Sequence, residues 1–81
     1  MPKFFEYLGF WIGAFSNEED RPHVHAVRFG SEAEMKVWLT PEIEVAYARN
    51  INSKTAKKIV AEIRRRKDEC ERKWSESRGG C

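Results

Sequence analysis

The two histidines of this chain lie two residues apart in the segment DRPHVHAV, and their chemistry is the first hint of a site. Imidazole titrates near neutral pH, so His23 and His25 could act as base and acid in phosphodiester cleavage. The ammonium of Lys36 would then stabilise the charge that develops on the phosphate. This pattern predicts His23, His25 and Lys36 as the catalytic residues of a metal-independent ribonuclease.

Two other interpretations of the histidine pair stay open. Both rings could be half-buried strand residues that bond to their neighbours, or they could share a metal ion. Zinc needs at least three protein ligands, and the only further candidates are Glu34 and the distant cysteines. We therefore predict no metal and no cofactor, and we expect Glu34 to orient one imidazole.

The segments around the histidines predict an antiparallel sheet. Aromatic residues and residues that alternate between apolar and polar favour short strands, and Gly30-Ser31 suits a two-residue type II′ hairpin turn. After Thr40-Pro41 the pattern favours a strand, although this dipeptide could instead cap a short helix. The predicted strands span residues 3–7, 10–16, 23–29, 32–40 and 42–48.

The hairpin turn between the third and fourth strands sets which side chains share a face of the sheet. A two-residue turn places His25 opposite Lys36 and His23 opposite Trp38. The histidines are then predicted to point away from the apolar face that a helix would cover. With Glu34 and Trp38 they would form a surface that the N-terminal hairpin partly covers or that binds a ligand.

From Ser53 to about Glu76 the apolar residues recur with helical spacing, which predicts one long amphipathic helix capped by Asn52 or Ser53. Its basic face could bind phosphate groups or an acidic protein, or could be neutralised by pairs four residues apart, such as Glu62 with Arg66. The apolar stripe consists of Ala56, Ile59, Val60, Ile63, Cys70 and Trp74. The basic stripe consists of Lys54, Lys58, Arg65 and Arg72.

Composition limits the class of protein. The 81 residues predict one α+β domain over 1–78, with four or five antiparallel strands against one long C-terminal helix, and a flexible tail over 79–81. The net charge is +2, and the N-terminal part of the chain is acidic while the C-terminal part is basic. This small positive excess does not by itself indicate that the protein binds nucleic acid. No apolar run approaches the ~20 residues of a membrane span. Without an export signal, the two cysteines are expected as free thiols in the cytoplasm.

Several segments resemble a known family. The signature P-H-x-H-A, carried by Pro22, His23, His25 and Ala26, together with GFWIGAFSNEED and a late ERKW, is similar to the domain of unknown function 4160 family of small bacterial proteins. That family often has a second proline where this chain has Arg21. The resemblance implies a small α+β domain that is often encoded beside another small protein, in some cases as a suspected toxin–antitoxin-like pair. It supplies no catalytic residues.

Two functions from different classes follow. The first is a small interaction protein of toxin–antitoxin type that binds a small protein partner or a second copy, with nucleic acid as a further candidate and no membrane. Its binding surface would combine Arg21, Glu34 and Trp38 with the basic stripe. The alternative is the ribonuclease that uses the histidine pair.

Overall fold

The computed structural model describes residues 3–15 and 20–79, and it has the predicted α+β architecture. A five-stranded antiparallel sheet, in which the order of the strands follows the chain, precedes two helices. The strands are β1 Lys3–Tyr7, β2 Phe10–Gly13, β3 His23–Val27, β4 Glu34–Trp38 and β5 Glu44–Arg49, and the helices are α1 Ser53–Arg65 and α2 Lys67–Gly79.

All five predicted strands are present: β1 has the predicted bounds, β3 and β4 are shorter, and β5 begins and ends later than predicted. β2 ends at Gly13, so the expected extension through Ala14 and Phe15 is wrong, and residue 16 lies outside the described residues. Residues 44–49 form a strand, so the alternative of a short helix after Thr40-Pro41 is wrong.

The β1–β2 connection is a two-residue turn. Leu8 and Gly9 have φ values of 53° and 79°, and a type I′ hairpin turn requires positive φ at both of these positions.

The β3–β4 turn differs in detail from the prediction. The N–H of Ser31 donates to the carbonyl of Arg28 over 3.3 Å, which makes Gly30, with a φ of 90°, the third residue of the turn. This is the position at which type II turns place glycine, whereas we expected glycine at the first central position of a type II′ turn. The N–H of Arg28 also donates to the carbonyl of Ala33 over 3.2 Å, so four residues separate the paired ends.

A four-residue loop keeps the same side chains on each face as a two-residue loop, and the predicted register is confirmed. His23 pairs with Trp38, and His25 pairs with Lys36. Val24 and the other residues of its face belong to the buried core.

The core lies between this face of the sheet and the helices. Ile59 and Ile63 of α1 are fully buried, and the other members of the predicted apolar stripe pack in or against the same cluster. Cys70 of α2 is also fully buried, and burial raises the pKa of its thiol to about 11, so it behaves as a small apolar residue. Cys81 lies outside the described residues.

The prediction of one long C-terminal helix is wrong, because the helix is interrupted at Arg66. The side chain of Asn52 caps α1 by accepting the N–H of Thr55 over 2.8 Å, as predicted. Arg66 has φ −106° and ψ 25°, which ends α1, and its guanidinium lies 4.2 Å from the Phe5 ring centroid. α2 then runs on to Gly79 rather than ending near Glu76.

The interruption brings α2 against the first strand. Lys73 Nζ donates to the carbonyl oxygen of Phe4 over 2.9 Å. Among the described residues, no helix is long and apolar enough to cross a bilayer.

Candidate functional site

The histidine pair is buried rather than exposed. His23 is fully buried and His25 is 4% exposed. The Phe15 ring lies 4.4 Å from the His25 ring, and Trp38 and Trp74 lie 5.6 Å and 6.3 Å from the His23 ring, centroid to centroid. Of the two predicted alternatives, the structure has the covered face rather than the open one, and the predicted pairing register is confirmed. Phe15, from the predicted N-terminal hairpin, contributes to the cover, and Trp38 of β4 and Trp74 of α2 complete it.

The His23 imidazole is hydrogen-bonded to the backbone of Arg21, the residue before Pro22. Its Nδ1 lies 2.7 Å from the carbonyl oxygen of Arg21. A carbonyl oxygen can only accept, so Nδ1 carries the proton and donates, and the Nε2 of a neutral ring is then an acceptor. This bond fixes the orientation of the imidazole at the start of β3.

Glu34 lies beside His25, as predicted, but it serves two further residues. The His25 Nδ1 is 3.5 Å from Glu34 Oε2, to which the Tyr47 hydroxyl donates over 2.7 Å. Arg49 donates to the other carboxylate oxygen over 2.9 Å. Burial, followed by the hydrogen bond to Glu34, raises the pKa of Tyr47. Sequence reasoning missed Tyr47 and Arg49, which the β4–β5 pairing places beside Glu34.

Two cations lie over the Trp38 ring, which was predicted to belong to the binding surface. The Arg21 guanidinium and the Lys36 ammonium lie 4.3 Å and 4.4 Å from its ring centroid. Arg21 also donates to the carbonyl of Thr40 over 2.8 Å and lies 3.4 Å from Glu44. The predicted residues Arg21, Lys36 and Trp38 are thus brought together, and they join β3, β4 and β5.

Catalysis by the histidine pair needs a phosphodiester at the imidazoles, and the covering aromatic rings leave no room for one in this conformation. The assignment of His23, His25 and Lys36 as catalytic residues stays a prediction, and burial counts against it. In the part of the chain that the structure describes, no three His, Cys, Asp or Glu side chains converge as potential metal ligands.

Two of the four members of the predicted basic stripe are in ion pairs. Arg65 bonds to Glu62, and Arg72 lies 3.7 Å from Glu76. Only Lys54 and Lys58 of the stripe are exposed without an ion pair to any described residue.

Most cations near the helix interruption are neutralised. The predicted Glu62–Arg66 pair is confirmed at 2.6 Å, and Glu69 pairs with Lys73 at 3.0 Å. Glu62 also accepts from Arg65, and hydrogen bonds from the two arginines lower its pKa to about 2. This flank of α1 offers little free charge for a phosphate.

Sequence reasoning missed an open groove on the other flank of α1. β5 is an edge strand of the sheet, and all of its residues except Tyr47 are exposed. The groove between β5 and α1 has a volume of about 360 Å³. It is lined by Val45, Ala56, Lys57, Val60 and Arg64.

The rim of this groove is basic. Lys57 and Arg64 are exposed and form no ion pair with any residue that the structure describes, and no acidic residue lines the groove. Lys57 and Arg64 are seven residues apart, so they lie on the same side of a helix as Val60. This spacing is the feature of the sequence from which the basic rim could have been predicted.

The chain matches the family model described as Domain of unknown function (DUF4160) over residues 9–75. It belongs to this family. The match runs from the β1–β2 turn into α2, and it includes both the histidine cluster and the groove. Comparison with curated proteins finds no match, and comparison with solved structures finds none either.

Proposed function

We propose that this DUF4160 domain is an interaction module that binds a protein partner at its β5 edge and in the groove beside it. An edge strand presents a row of backbone N–H and C=O groups that can pair with another strand. β5 is the longest strand of the sheet, with six residues, and it is exposed along almost its whole length. This open edge is the single observation that carries the proposal.

The groove adds a place for side chains of the partner. Val45 is 42% exposed, which is unusual for an apolar residue on the face of the sheet that α1 covers. Val60 and Ala56 of α1 are only partly buried beside it. A strand added to β5 would cover these apolar atoms, which is favourable in water.

The toxin–antitoxin-type role that the family resemblance implies is one setting for such a module, and it stays a prediction. The ribonuclease alternative is less well supported, because His23 and His25 are buried. The role predicted for the basic stripe in binding also changes, since the free cations that border a groove are Lys57 and Arg64.

The proposal can be tested by selection from a displayed library of random peptides against the full chain. Val45→Asn replaces the apolar side chain in the groove by a neutral polar one, and Leu8→Asn is the matched control, because Leu8 is 45% exposed at the distant β1–β2 turn. We expect selected peptides to bind the wild type and Leu8→Asn, and to bind Val45→Asn about tenfold more weakly. Equal binding to Val45→Asn, or no selected peptide at all, would overturn the proposal.

A further inference from the structure

We infer that the segment received at the β5 edge is an acidic extended strand of a partner protein, in which carboxylates flank a central apolar residue. This inference rests on the proposed function and names the chemistry of the occupant. It comes from the way in which charge is divided between the two flanks of α1.

The flank of α1 that faces β1 is internally neutralised. Arg65 and Arg66 both bond to Glu62, and Arg66 also lies on the Phe5 ring. Charges paired in this way gain little from a partner, because the new contact would have to replace an existing one.

The flank of α1 that faces β5 has cations and no acids. Lys57 and Arg64 border the groove, and neither forms an ion pair with a described residue. Two like charges beside an apolar floor attract carboxylates and repel a basic segment, so the groove discriminates between partners by charge.

The geometry also sets a spacing. Residues seven apart on a helix lie about 10.5 Å apart along its axis. Side chains on one face of a strand recur about every 6.7 Å, so positions i and i+4 lie about 13 Å apart. The long side chains of Lys57 and Arg64 can span the difference. The predicted partner segment therefore reads acid–x–apolar–x–acid, with its central residue against Val60 and Val45.

A second copy of this chain fits less well. Antiparallel pairing of two β5 strands would place Glu44 opposite Arg49 of the other copy, which is complementary. However, Glu44 already lies 3.4 Å from Arg21, and Arg49 donates to Glu34 over 2.9 Å. Such a dimer would also bring two sets of unpaired α1 cations towards each other.

The test uses three labelled synthetic peptides that repeat the acid–x–apolar–x–acid pattern, with Glu as the acid, Thr at the x positions and Val as the apolar residue. One keeps Glu, one replaces each Glu by Gln, and one replaces each Glu by Lys. We expect the Glu peptide to bind the wild-type chain, the Gln peptide to bind about tenfold more weakly at low ionic strength, and the Lys peptide not to bind.

Charge-reversed variants locate the effect. The double variant Lys57→Glu, Arg64→Glu should lose the Glu peptide and gain the Lys peptide. The matched control, Lys54→Glu with Lys58→Glu, makes the same change in net charge on exposed α1 residues that do not line the groove. It should keep the preference of the wild type.

The outcomes separate the inference from the proposed function. Equal binding of the Glu and Gln peptides, weakened in Val45→Asn, overturns the acidic occupant and keeps the edge as a binding site. Concentration-dependent dimerisation that Val45→Asn weakens makes a second copy the occupant and overturns the inference. If a single-stranded RNA oligonucleotide displaces the Glu peptide at a lower concentration than the unlabelled Glu peptide does, nucleic acid is the occupant and the inference is overturned. Binding that is indifferent to Val45→Asn overturns both the inference and the proposed function.

Discussion

The two edges of the sheet are treated differently by the same C-terminal segment. At β1, Lys73 of α2 bonds to the carbonyl of Phe4, and Arg66 lies on the Phe5 ring, so Phe4 and Phe5 are only 6% and 8% exposed. At β5, Val45 is 42% exposed, and no described helix or strand covers the edge. Residues of the C-terminal segment therefore cover the β1 edge of the sheet and do not cover the β5 edge.

Charge follows the same division. The cations near β1 are paired with Glu62 and Glu69, whereas Lys57 and Arg64 near β5 are not paired with any described residue. The β1 edge is covered and its neighbouring charges are paired, whereas β5 and the cations beside it are exposed. Under the proposed function, changes at β1 should affect mainly stability, and changes at β5 mainly binding.

The largest difference is expected between core and edge truncations. Phe5→Ala should lower the free energy of unfolding by about 3–5 kcal/mol, because it empties a buried site at the closed edge. Val45→Ala should change it by no more than about 1 kcal/mol, since Val45 is already 42% exposed. Urea denaturation of both variants measures the contrast. Similar losses would mean that β5 is as tightly integrated in the fold as β1.

A smaller loss of stability is expected when the hydrogen bond from Lys73 to the Phe4 carbonyl at β1 is removed. Lys73→Met should cost about 1 kcal/mol, because the carbonyl of Phe4 loses a charged donor and Glu69 loses its ion pair. Hydrogen exchange of the β1 amides should also become faster. Lys57→Met is the matched control, and we expect no change in stability or exchange from it. If both variants behave alike, the proposed cover of β1 by Lys73 does not contribute.

The paired flank predicts a specific acid dependence. The pKa of Glu62 is about 2 in the fold, against an ordinary value of 4.5. Because its folded pKa is the lower one, its contribution is fully present above pH 4.5 and is lost as the pH falls from 4.5 towards 2. Glu62→Gln should flatten this part of the stability curve, measured by denaturation at a series of pH values. An unchanged acid limb would show that the arginine pairs do not persist in solution.

The smallest expected effect is on RNA. Because both imidazoles are buried, wild-type protein and a His25→Gln variant should cleave a labelled RNA at the same background rate. Gel analysis after prolonged incubation measures the rate. Cleavage by the wild type that His25→Gln removes would show that the aromatic cover opens, and it would restore the catalytic prediction for His23, His25 and Lys36.

The predictable parts of this fold are those set by local sequence. Alternation predicts the strands, and an even loop around Gly30 preserves the register even though the turn type differs. The interruption at Arg66 could not be predicted, because the apolar stripe keeps its helical spacing through it. Burial of the histidines depends on Phe15, which follows β2, and on Trp74 of α2, which lies far along the chain from β3.

The groove between β5 and α1 was missed for a related reason. It is lined by residues of two elements, such as Val45 of β5 and Val60 of α1, and no local pattern predicts that these residues line one groove. The sequence does contain the Lys57 and Arg64 spacing, but that spacing has meaning only once the position of α1 is known.

Hydrogen exchange of the backbone amides, measured with and without the Glu peptide, is the decisive experiment for the proposed β5 site. We predict that residues 44–49 exchange faster than residues 3–7 in the free chain, and that the peptide slows exchange selectively in residues 44–49 and along the groove side of α1. Protection that appears in β1 instead, or no change in β5 at saturating peptide, would contradict the proposal that this domain binds a partner at β5.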